Sequence, residues 1–145
     1  MAGARRWEAI VWHHSEAADG VTYDWPAIRR YHILGKGWSD IGYHFGIERV
    51  SGALQVNVGR KLSMIGGHCL GQNHRAIGIC VVGNFDKAAP DDETVKFAVD
   101  LAKEIMAAFP LIKPENNHYH REFTDKKTCP GNLFPPLAEF RGMLV

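Results

Sequence analysis

Trp7-Glu8-Ala9-Ile10-Val11-Trp12-His13-His14 is the most telling run in the chain. Ala9 and Val11 fall on one alternating face and Ile10 and Trp12 on the other. Both faces are apolar, as expected of a strand covered on both sides. Such a strand belongs at the centre of a sheet. It ends in two adjacent imidazoles, His13 and His14, and strand ends present side chains at a sheet edge.

Outward from this strand, the chain marks its own elements. Asp24 before Trp25 and Pro26 reads as an N-cap with proline in the first turn; Ile28, Tyr31 and His32 then face inward until Gly35 stops the helix. Residues 43–50 and 54–58 are strand-like, and Ser51-Gly52 makes a hairpin the expected link. A fourth strand spans 76–82 and ends at Gly83-Asn84. Asp91 and Asp92 open the strongest helix, with Val95, Ala98, Val99, Ala102, Ile105, Met106 and Phe109 at helical spacing and Pro110 at its end. A last helix follows Pro135 and Pro136 and uses Leu137 and Phe140. The sum is an α/β (mixed) fold, a central mixed β-sheet flanked by helices, in a single domain over residues 1–145.

The chain has 145 residues, 46% hydrophobic and 23% charged, enough to bury a core without a disulfide framework. Its 17 Lys and Arg against 16 Asp and Glu leave a net charge of +1. That balance lacks the phosphate-neutralising footprint of a nucleic-acid binder. No stretch approaches the roughly 18 apolar residues of a membrane span. The apolar run after Arg5 and Arg6 is interrupted by Glu8 and closed by His13, unlike a secretory leader. The expectation is a cytoplasmic monomer that binds neither nucleic acid nor membrane. Cys69, Cys80 and Cys129 form an odd set without C-x-x-C spacing, so at least one is a free thiol or a ligand.

Eight histidines are more than composition explains. The run His118-Tyr119-His120-Arg121-Glu122-Phe123-Thr124-Asp125-Lys126-Lys127-Thr128-Cys129-Pro130-Gly131 gathers two imidazoles, a thiol and two ammonium groups in one loop. Zinc takes imidazole and thiolate, and a catalytic zinc has three protein ligands and an open position. Pro130 biases Cys129 toward an extended backbone, which puts Lys127 on the same side as Cys129. A cation there can stabilise an oxyanion. The third ligand is then His13 or His14, and periodicity does not choose between them.

These residues, taken in order, resemble a known family: the zinc-dependent N-acetylmuramoyl-L-alanine amidases of the phage-lysozyme type, related to the peptidoglycan recognition proteins. The likeness covers Ile10-Val11-Trp12-His13-His14-Ser15, Ile28-Arg29-Arg30-Tyr31-His32, and Gly37-Trp38-Ser39-Asp40-Ile41-Gly42-Tyr43-His44-Phe45. It continues through Gly66-Gly67-His68, Asn73, Ile77-Gly78-Ile79 and Gly83-Asn84-Phe85 to His120-Arg121-Glu122 and Lys127-Thr128-Cys129-Pro130-Gly131. Blocks in this order over roughly 120 residues make a specific signal.

The resemblance implies a peptidoglycan-recognition-protein-like fold and one zinc ion held by His13, His120 and Cys129. It places Tyr43 and Lys127 at the two catalytic positions. His44, His68 and Asn73 fall in family blocks and are candidates for substrate binding, with a structural hydrogen-bonding role equally expected of His44 and His68. Tyr43 also reads as core, because Phe45 and Ile47 share its strand face, and His118 reads as a surface residue. The implied reaction is cleavage of the amide between the lactyl group of N-acetylmuramic acid and L-alanine in peptidoglycan. The implied setting is a phage or prophage endolysin released by a separate membrane-pore protein. The alternatives are a cytoplasmic amidase recycling anhydro-muropeptides, a peptidoglycan-binding module without catalysis, and a structural zinc site with His14 or His118 as fourth ligand.

Overall fold

A computed structural model describes residues 6–16 and 24–145; Arg5, used above in the leader argument, lies outside them. Five strands, β1 (Ala9–His14), β2 (Phe45–Val50), β3 (Ala53–Val58), β4 (Ala76–Val81) and β5 (Asn117–Tyr119), form one sheet in the order β3-β2-β4-β1-β5. β1 runs parallel to both its neighbours, β4 and β5, and β2 runs parallel to β4. β3 closes one edge, antiparallel to β2 through the expected hairpin. The fold is the mixed sheet with flanking helices that the patterning implies.

Among the described residues three α-helices cover the sheet: α1 (Trp25–Arg30), α2 (Asp92–Ala108) and α3 (Leu137–Met143). Side-chain size alternates across β1 and β4. The large residues Ile10, Trp12, Ile77, Ile79 and Val81 pack with Ala98, Ala102 and Ile105 of α2 and Phe140 of α3. On the opposite face Ala9, Val11 and Ala76 pack with Cys69, while Cys80 packs with Trp25 and Ile28 of α1. Small residues on this second face let a loop and a short helix approach the sheet closely, and Tyr43 and His68 lie there. Both expected N-caps are present: Asp24 accepts from Ala27 N–H at 2.8 Å and Asp91 from Thr94 N–H at 2.8 Å.

Three local expectations are corrected. Tyr31 does not face inward: from Tyr31 to Gly35 the helix widens, with Lys36 N–H reaching Tyr31 O, and the changed register buries His32 and leaves Tyr31 40% exposed. β2 starts at Phe45 rather than at residue 43, so Tyr43 packs beside Trp25, Ile28 and Cys80 while Ile47 joins the α2 face. Residues 118–131 are not one loop, because Asn117–Tyr119 adds a strand beside β1 and His120–Glu122 forms a 3₁₀ turn after it.

Candidate metal centre

β1, β4 and β5 are parallel and end at one edge, and the crevice outside the carboxyl ends of parallel strands is the usual place for an α/β site. His13 is the last residue of β1 on the small-residue face. The pairing of Trp12 with Tyr119 makes His120, the next residue after β5, its neighbour, and the two imidazole centroids are 4.6 Å apart. Cys129 returns on the following loop. One ligand atom from each of His13, His120 and Cys129 lies within 4.8 Å of the others. These residues line a cleft of about 220 Å³ together with Tyr43, His68 and Lys127. A larger cleft of about 630 Å³ lies between α2 and α3, lined by Val95, Val99, Leu133 and Met143, and holds none of the histidines.

Local chemistry separates His13 from His14. His14 turns to the other face, where its Nδ1 accepts the Phe85 N–H at 3.0 Å. A neutral His14 therefore carries its proton on Nε2, which faces Glu16 at 3.5 Å and Asp86 at 3.9 Å. His14, Glu16 and Cys129 also bring ligand atoms within 4.8 Å, but the only lone pair of that imidazole is already engaged. His118 bonds Arg141 and faces Glu122 at 3.4 Å, outside the lining of the cleft. Neither His14 nor His118 is placed as a fourth ligand.

The donor set fits zinc. Two imidazoles and a thiol converge, and His120 Nδ1 is buried with no hydrogen-bond partner among the described residues. An orphaned polar atom of that kind calls for an explanation, and an aromatic nitrogen lone pair beside a thiol is a soft-to-borderline metal ligand. Burial, then the nearby His68 and His120, hold His13 well below the usual imidazole range. Burial, then Lys127, brings His120 to about 4, while burial raises the Cys129 thiol to about 11. Both imidazoles are neutral at pH 7, as ligation requires, and the thiol must surrender a proton to bind.

The loop carrying Cys129 is held from behind. Asp86 accepts from Thr128 Oγ1 at 2.6 Å and from Asn132 N–H at 2.7 Å, and Leu133 N–H bonds Phe85 O at 2.7 Å. Thr128 turns toward Asp86 while its neighbours Lys127 and Cys129 line the cleft, as the alternation argument expects; Lys126 does not line it. Asp86→Ala removes two hydrogen bonds to a carboxylate and is expected to destabilise the fold by about 1–3 kcal/mol. It should weaken zinc binding as well, since it frees the segment that carries Cys129. Chemical denaturation of the metal-free variant and zinc competition measure the two effects.

Tyr43 packs against His13 with ring centroids 5.1 Å apart, and it packs with the cluster that holds Cys80. Burial, with Cys80 and Cys129 nearby, pushes its phenol well above the usual value, so it remains protonated. His44 is fully buried, its Nδ1 accepting from Gly78 N–H and its Nε2 donating to Met64 O. Asn73 Oδ1 accepts from the N–H groups of His68 and Cys69. Both therefore serve the backbone and neither lines the cleft, whereas His68 lines it with both ring nitrogens engaged.

Buried neutral histidines make stability depend on pH. Burial holds His68 at about 3 and, with nearby cations, His32 and His120 at about 4. Unfolded imidazole titrates near 6.5, so below that pH the unfolded chain takes up protons that the folded chain refuses. Stability is full above 6.5 and falls as pH drops toward 4. Thermal melts of the metal-free protein should fall steadily across this window, with unfolding near pH 5.5 coupled to uptake of about 3–4 protons by His13, His32, His68 and His120. A flat profile would contradict a site built from neutral imidazoles.

Residues 3–132 match the family described as N-acetylmuramoyl-L-alanine amidase. An endolysin of Enterobacteria phage T3 is 39% identical over 79 residues, 54% of this chain and 50% of that protein. The alignments span no more than about half the length of the first curated relatives. Among solved structures, the endolysin amidase LysCS of Clostridium intestinale superimposes with a TM-score of 0.81 at 29% identity, covering 97% of this chain and 84% of that one. A point mutant of Drosophila PGRP-LB in complex with tracheal cytotoxin gives 0.73 at 26% identity, covering 93% and 80%.

Proposed function

The chain belongs to the N-acetylmuramoyl-L-alanine amidase family, and from that premise we propose that it is a zinc hydrolase cutting the amide between the lactyl group of N-acetylmuramic acid and L-alanine in peptidoglycan. The observation that carries this reading is the convergence of His13, His120 and Cys129, with an unpartnered buried Nδ1 on His120, in a cleft that also holds Tyr43 and Lys127. His13, His120 and Cys129 hold the ion, which when bound supplies Lewis acidity to the scissile carbonyl and to the attacking water.

The remaining work falls to side chains of this chain. Water adds to the amide carbon, the C–N bond breaks, and the proton lost by water ends on the alanine amine. Lys127 sets a positive charge beside the oxygen on which negative charge develops. Tyr43 Oη, kept protonated by its burial, orients the attacking water.

Similarity to a phage endolysin and to LysCS supports an endolysin acting on intact wall. No helix among the described residues is long and apolar enough to cross a membrane. Incubation with intact sacculi and, separately, with soluble anhydro-muropeptides tests the substrate. Release from sacculi is expected. Cleavage confined to the soluble fragments would replace the endolysin by a recycling amidase, and binding to sacculi without release would leave a recognition module.

A further inference from the structure

We propose that His68 is a positioning residue of the metal centre: it accepts a hydrogen bond from His13 Nε2 and so holds His13 in the tautomer whose Nδ1 lone pair is free for the ion. The inference rests on the reading above that His13 is a ligand.

The direction of each bond follows from one group that can only accept. Ala76 O lies 3.0 Å from His68 Nε2, so His68 donates there and its Nδ1 carries the lone pair. That Nδ1 lies 2.9 Å from His13 Nε2, so His13 is the donor and is left with its lone pair on Nδ1. The carbonyl at the head of this chain cannot turn away, because Ala76 opens β4 and is paired with Ala9 of β1. The strand that bears His13 is thus tied by the sheet itself to the atom that sets the His13 tautomer.

The surroundings of His68 are shaped to hold its ring. A Cβ at Gly78 would lie 2.4 Å from two ring carbons of His68, and one at Gly66 would lie 2.4 Å from His68 Cδ2. Any side chain at either position displaces the imidazole. Asn73 Oδ1 fixes the backbone at His68 and Cys69, at 2.8 and 2.9 Å. The roles of Gly66, Asn73 and Gly78 converge on the orientation of one ring. Partners of this kind fix the ring angle of a ligating histidine and raise its basicity, and losing one typically weakens metal binding about 10–100-fold.

Three measurements, none reading amide hydrolysis, test the proposal. Side-chain ¹⁵N NMR of the zinc-loaded wild-type protein should show both His13 and His68 protonated at Nε2. His68→Phe, which keeps a ring without an acceptor, should lower zinc affinity about 10–100-fold in competition with a chromophoric chelator. His68→Asn, whose Oδ1 can stand near the lost Nδ1, should restore most of that affinity and the wild-type spectrum of the cobalt-substituted protein. His13 protonated at Nδ1, or a folded His68→Phe protein binding zinc as tightly as the wild type, overturns the proposal. If His68→Phe does not fold, the wild-type NMR result decides. Zinc affinity unchanged in His13→Ala would refute the ligand assignment itself, a separate outcome.

Discussion

Cys129→Ala and His120→Ala are each expected to abolish zinc binding and amide hydrolysis together. A catalytic zinc held by three protein ligands has no spare donor, and removing one leaves two. His14 cannot substitute, because its Nδ1 is engaged by Phe85 N–H. His118 cannot either, since it is tied to Arg141 and Glu122 away from the cleft. The ion's share of transition-state charge stabilisation is several kcal/mol, so rates should fall by at least about 10⁴-fold. The loss should not reflect unfolding, since the core around Trp12, Ile79 and Phe140 contains neither residue. Metal content after dialysis, circular dichroism and hydrolysis rate read the three quantities separately. Either variant retaining one zinc per chain would mean the ligand set is wrong.

Tyr43→Phe and Lys127→Ala should separate what those variants lose together. The proposed ligands are His13, His120 and Cys129, and the phenol of Tyr43 stays protonated, so both proteins should keep zinc. Each loses a group acting on the reacting atoms, an effect of about 100-fold to 10,000-fold in kcat, or roughly 3–5 kcal/mol. Tyr43→Phe is the cleaner test, because the ring that packs on His13 and Trp25 is preserved and only the hydroxyl is removed. Loss of zinc from Tyr43→Phe would contradict the assigned role. Lys127→Ala removes an exposed cation and leaves the buried His13 and Cys129 and the half-buried His120 in place.

Much of this site is legible in the sequence, for identifiable physical reasons. The alternation in β1 marks a strand buried on both faces, and the structure buries all six of its residues. The same alternation places His13 and His14 on opposite faces but cannot say which face holds the cleft. That depends on the small residues Ala9, Val11, Ala76 and Gly78, whose meaning appears only when β1 and β4 are side by side. β5 escapes because three residues carry no usable period, yet it is the strand that delivers His120. Asp86 escapes for another reason: a single carboxylate after Phe85 gives no sign that it fastens a loop some 40 residues later, at Thr128 and Asn132. The family resemblance offers His68 equally as a substrate-binding or a structural hydrogen-bonding residue, and its hydrogen bonds to His13 and Ala76 stay hidden because they join segments that lie apart in the chain.

The most direct test of a zinc-dependent amidase is mass spectrometry of purified sacculi after incubation with the protein, with and without a zinc chelator, and after zinc is restored. Free stem peptides beginning in L-alanine should appear without chelator, vanish with it and return on zinc addition. Undiminished release under chelation, or products cut at any other bond, would contradict the account.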